Sequence, residues 1–183
     1  MKSKKVAIPV SLRNVKLWKA CYTVTLFIGM ILIIFEVFIY RRTMITPIIP
    51  ISIILGIGTV AFLLNKEHYK ATYSLNGNFY PFMQNIISWG FISCYIFMSL
   101  NYYFADPATQ VHRFVIANKD SMPGTKGRRH ERSPTVTFDY FNLKKELVFD
   151  YSDTDRILEA DSVTVSIRKG ALGFDVLESY DSI

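Results

Sequence analysis

Three long apolar runs in the first hundred residues limit what this chain can become more than any other feature. Cys21–Tyr40 is twenty residues with a single charge, Glu36. Ile48–Leu64 and Ile86–Phe104 carry no charge. About 20 residues at a rise of ~1.5 Å each cross the hydrocarbon core of a bilayer. Lipid offers no hydrogen-bond partner to an open backbone, so such runs must be helices that satisfy their own amides. The expectation is three transmembrane helices, 21–40, 48–64 and 86–104. The first is too long for a cleaved signal peptide, and Arg41-Arg42 follows it where a small-residue cleavage site would stand. The second starts behind Pro47 with Pro50 in its first turn, where proline costs no helical hydrogen bond.

Charge divides the chain in two. Residues 1–104 hold ten Lys or Arg against Glu36 and Glu67, whereas residues 105–183 hold eleven basic and thirteen acidic residues. The high isoelectric point therefore belongs to the membrane half, where it reports orientation rather than nucleic-acid binding. Lys2, Lys4, Lys5, Arg13, Lys16, Lys19, Lys66 and Lys70 flank the spans on one side, and Arg41, Arg42, Arg113 and Lys119 on the other. By the bias of Lys and Arg toward the cytoplasm, the N-terminus is cytoplasmic and the C-terminal domain lies outside it in a multi-pass cell-membrane protein. Trp18, Tyr22, Tyr102 and Tyr103 suit interfacial anchors. The aromatic stretch 65–84, turning at Asn76-Gly77, reads as span two continuing past the bilayer and a re-entry along the headgroups.

From Thr109 the period changes from helix to strand. A strand opening with Val111, Phe114 and Ile116, and the stretches Thr135–Phe141, Glu146–Tyr151, Ser162–Arg168 and Leu172–Glu178, alternate like strands, with turns at Asn142–Lys145 and Lys169-Gly170. Asp153–Ala160 reads as a short helical connector. Residues 105–183 are thus expected to form a small antiparallel β domain, a five-stranded sheet or partial barrel, behind the membrane domain 1–104. Cysteine occurs only at Cys21 and Cys94, inside apolar runs, so no disulfide supports the β domain.

The order of a strand, a basic loop, Pro134 leading into Val136-Thr137-Phe138, a hairpin and then Asp161-Ser162-Val163-Thr164-Val165 resembles bacterial membrane proteins of unknown function that carry a DUF3592-like small β domain. The resemblance spans roughly residues 110–170 and implies architecture in a bacterial inner membrane, not activity. This chain departs from that pattern by ending in the β domain rather than in another span.

Catalytic motifs are absent from the sequence. No nucleophile elbow, glycine-rich phosphate loop or paired metal-spaced histidine occurs, and His68, His112 and His130 stand apart. Asp150, Asp153, Asp155 and Asp161 lack a calcium-loop pattern. No cofactor, metal or nucleic-acid partner is expected. Three features invite function instead. Glu36 is an acid inside a span, which is costly unless it faces protein or reaches the interface toward Arg41-Arg42. Ser52 and Gly56 are spaced for close helix packing, within the bundle or between copies. Lys126, Arg128, Arg129 and Arg132, in a Pro/Gly-containing loop, suit anionic headgroups or an acidic partner, if the loop is not simply solvated.

The expected function is a non-enzymatic, membrane-anchored subunit or adaptor of a bacterial envelope complex, with the β domain contacting a protein partner or a second copy. The alternatives are a transporter or channel component assembled around Glu36, Ser88, Ser93 and Asn101, or a membrane immunity or stress protein.

Overall fold

The computed structural model describes residues 12–123, 131–141 and 143–182. The chain begins with α1 (Leu12–Arg41) and α2 (Ile48–Tyr73). Next come α3 (Phe79–Asn85), a π-helical turn (Ile86–Gly90) and α4 (Phe91–Tyr103). Three helical stretches, Asn14–Arg41, Ile48–Tyr73 and Phe79–Tyr103, are long and apolar enough to cross a membrane and fit a multi-pass membrane protein. The first extends beyond the expected span at both ends, the second past its C-terminal end and the third before its start, because polar and aromatic residues beside an apolar run can continue the helix at the interface. The chain turns after Tyr73, with Ser74 at φ +55°. The expected re-entrant stretch is not a separate element; Phe79–Asn85 is the start of the third helix.

The chain clusters into two compact units. The first takes the helices up to Glu36 and Ile48–Ile96. Between helices in lipid there is little hydrophobic drive, so backbones must approach closely, and glycine permits that. A Cβ on Gly29 would fall on the carbonyl of Ile87. One on Gly58 would sit 2.6 Å from Ile86 Cδ1, and one on Gly90 2.6 Å from the carbonyl oxygen of Ile54. The π-helical turn thus begins and ends at residues pressed against α2. Ser52 and Gly56, spaced for helix packing within the bundle or between copies, do not pack within it. Both are exposed, and a Cβ on Gly56 would have nothing within 4 Å. Close packing passes through Gly58, two residues on and therefore on another side of the helix.

The second unit takes Val37–Pro47 together with the chain from Phe97 onward. Its centre is a curled, five-stranded antiparallel sheet, a half-barrel. The strands are β1 (Thr109–Met122), β2 (Ser133–Tyr140), β3 (Leu143–Val148), β4 (Ser162–Arg168) and β5 (Val176–Ser182), in the order β3-β2-β1-β4-β5. β1, which Val111, Phe114 and Ile116 are expected to open, runs on to Met122. Its first half pairs with β4 and its second with β2, and the register shifts between Ile116 and Asn118. A bulge there bends and twists the strand, which lets one strand serve two neighbours and curls the sheet. The hairpin after β2 turns at Phe141, φ +51°, so β3 begins at Leu143 rather than Glu146.

The concave face buries Val136, Phe138, Leu147, Val163, Val165 and Ile167. Ile157, from the short helix α5 (Thr154–Glu159), joins the same core. So does Met44, which lies between the first two spans. The α1–α2 connection thus clusters with the β domain although it precedes it in sequence by two helices.

Candidate functional site

A half-barrel has two open edges, here β3 and β5. Unpaired edge amides invite association unless something covers them. The α1–α2 connection covers β5: Thr43 forms a β-bridge with Val176, Met44 N donates to Asp175 O at 2.7 Å, and Leu177 N donates to Arg42 O at 2.7 Å. The other edge is tied by Lys145. This lysine shares the inward face of β3 with Leu143 and Leu147 by strand alternation. Its Nζ donates to the carbonyl oxygens of Thr43 at 2.9 Å and Tyr40 at 3.3 Å. Tyr180 links the edges directly, its hydroxyl donating to Val148 O and its ring lying 5.0 Å from that of Phe149.

Between these ties is a cleft of about 600 Å³. Four cations line it, Arg41, Arg42, Lys144 and Lys145, against two acids, Glu146 and Glu178. Glu178 is already engaged, accepting from Thr109 Oγ1 at 2.8 Å and lying 3.7 Å from Arg168 Nε. Arg42 donates to the Tyr102 hydroxyl at 3.3 Å. None of the four cations has an ion pair among the described residues. Burial, with the nearby charge of Arg41, pushes the Lys145 ammonium down to about 8. Desolvation disfavours the charged form of an amine, and a neighbouring cation adds to it. The hydroxyl of Tyr140 is raised by burial and by its hydrogen bond to Asp175. The Tyr180 hydroxyl is raised by burial and by Asp150.

A second polar feature fixes the β4–β5 connection. Asn101, fully buried at the end of α4, donates through Nδ2 to Phe174 O at 2.8 Å. Its Oδ1 accepts from Leu172 N at 3.0 Å and from Phe174 N at 3.4 Å. This capture explains why Leu172–Asp175 is a loop and β5 begins only at Val176. Gly170 is required beside it, since a Cβ there would fall on Phe174 O and on the Asn101 amide.

The remaining sequence candidates are dispersed. Glu36 is 7 % exposed, beside the Cys94 thiol, and its Oε2 has no hydrogen-bond partner among the described residues. Tyr22 is buried, with its hydroxyl 2.9 Å from His68 Nδ1 and its ring against Tyr69. Trp18 remains exposed and stacks edge-on against His68, while Tyr103 is exposed and Tyr102 half-buried. Of the intramembrane polar residues, Ser88 accepts from Gln84, which also donates to Tyr22 O. Lys126, Arg128 and Arg129 lie outside the described residues. Arg132 makes two 2.8 Å hydrogen bonds to Ser121, through Nε to Oγ and Nη2 to O, closing the base of the β1–β2 hairpin.

The cationic cleft was not legible beforehand. Arg41-Arg42 and Lys144-Lys145 are ordinary basic pairs about a hundred residues apart in sequence, and only the strapping of the loop across the half-barrel brings them together. No family model, curated protein or solved structure matches the chain.

Proposed function

We propose that this protein is a non-enzymatic, membrane-anchored subunit or adaptor whose β domain engages its partner through the cleft between β3 and β5. The observation that supports this most is the strapping of the α1–α2 connection across the half-barrel. It ties the binding domain to the membrane by chain and by hydrogen bonds, and it collects four cations around one opening. Such an opening suits recognition of an anionic group, since guanidinium and ammonium groups bind carboxylate and phosphate strongly once partly desolvated. The test is affinity purification of the full chain from its native host, followed by mass spectrometry of co-purifying molecules. Arg42→Glu combined with Lys144→Glu should strip the partner while leaving the protein in the membrane. Unchanged companions would refute the reading.

The orientation that accompanies this proposal has the N-terminus cytoplasmic and the β domain extracytoplasmic, on the Lys and Arg balance of the flanks. A single cysteine at exposed Ser152, with Cys21 replaced, should react with an impermeant maleimide on intact cells. Buried Cys94 can be retained. Labelling only after the membrane is opened would reverse the topology.

A further inference from the structure

We infer that the cleft between β3 and β5 binds the phosphate of an anionic phospholipid headgroup, with Arg42, Lys144 and Lys145 as its ligands. The inference rests on the reading of the cleft as the binding site and names its ligand.

Three observations carry it. The first is place. Phe38, Tyr40 and Arg41, the last residues of a membrane-spanning helix, line the cleft. The point where an apolar span gives way to Arg-Arg is the depth of lipid phosphates. The second is charge. The cleft has four cations and two acids, and Glu178 is occupied by Thr109 and Arg168. The imbalance suits an anion, and a phosphodiester supplies one negative charge with several acceptor oxygens. The third is the state of Lys145. Two carbonyls hold its ammonium in position, which uses two of its three donors and brings no counter-charge. Inward-facing and partly desolvated, it has the Tyr40 ring 5.7 Å away but no carboxylate partner among the described residues. Burial pushes it down to about 8, and a bound phosphate would relieve that cost. The volume of about 600 Å³ lies within the range of about 300–1,000 Å³ typical of small-ligand sites, so it admits a headgroup. Phe38 and Ile45 in the same lining offer apolar contact to the glycerol and first acyl carbons.

The test uses the full chain purified in a neutral detergent. Dioctanoyl-phosphatidylglycerol, dioctanoyl-phosphatidylcholine and inorganic phosphate are titrated separately, with binding read by native mass spectrometry and by the shift in melting temperature. Saturable binding of the glycerol lipid, about tenfold or more tighter than the choline lipid and than inorganic phosphate, is expected. Lys145→Gln and Arg42→Gln should each weaken it about tenfold. Lys144→Gln, at an exposed side chain without a hydrogen bond or ion pair among the described residues, should weaken it several-fold at unchanged melting temperature, which separates binding from folding. Equal affinity for the two lipids, or binding indifferent to all three substitutions, overturns the inference. Inorganic phosphate binding as tightly as the lipid also overturns it, in favour of a soluble anion. If no lipid binds but charge reversal in the cleft still strips a co-purifying protein, the lipid assignment falls and the adaptor reading stands.

Discussion

Asn101→Ala should unfasten the β domain from the end of α4. The side chain is fully buried and makes three hydrogen bonds to the Leu172–Phe174 loop, at 2.8, 3.0 and 3.4 Å. Each good buried hydrogen bond contributes about 1 kcal/mol net, and the longest of these about half that. Truncation also leaves Phe174 O and two amides without their protein partner. Water reaches Leu172, which is exposed, and so limits that cost. The balance is a loss of about 2–3 kcal/mol. For a chain of this size that corresponds to a fall of about 5–10 °C in melting temperature, read by tryptophan fluorescence in mild detergent. Hydrogen exchange gives the local signature: the amides of Leu172 and Phe174 should lose protection, while those of β2 keep theirs. Asn101→Asp keeps the acceptor for the two amides but sets a carboxylate against Phe174 O, so it should be at least as damaging. A melting temperature within about 1 °C of the parent, with unchanged exchange at Leu172, would refute the assignment of this residue as the loop's anchor.

Lys145 sets a pH dependence. It ionises near 8 in the fold, against about 10.4 in an unfolded chain, so its charged form is penalised by folding. That penalty is fully present below pH 8 and is relieved as pH rises through 8 toward about 10. Tyr140 and Tyr180, both raised, act oppositely: they resist ionisation in the fold and withdraw stability above about pH 10. Chemical denaturation of the parent should therefore show stability rising from pH 8 to about 10 and then falling, and Lys145→Met should abolish the rise. Gly29→Ala and Gly90→Ala should each cost about 1–3 kcal/mol or more in detergent, because the added methyl meets backbone. Gly56→Ala should be neutral to folding, so a loss of stability there would place an unseen contact on that face. Glu36→Gln should leave the melting temperature unchanged or higher, since the acid's Oε2 lacks a partner among the described residues; a drop beyond about 5 °C would reveal an interaction that needs the charge.

The sequence by itself determined the parts. Apolar runs too long for a globular core and nearly free of charge must become spanning helices, since lipid leaves the backbone no other way to satisfy itself. Alternation in Thr135–Tyr140 and Ser162–Arg168 must become strands with one buried face, since side chains there change sides at every residue. Both signals are local. The extent of β1, the late start of β5 and the membership of Met44 in the β core were not legible, because each depends on a partner far away in sequence: β2 and β4 for the first, Asn101 for the second, the open half-barrel for the third. The same holds for the candidate site. A basic loop announces itself by composition, as 126–132 does, whereas the hydrogen bonds of Arg132 to Ser121 depend on the pairing of β1 with β2. Arg41-Arg42 and Lys144-Lys145 became a site only when one short loop lay across two strand edges. Edge amides and an unpaired inward lysine can be satisfied by whichever chain is near, and nearness across a hundred residues is a property of tertiary structure alone.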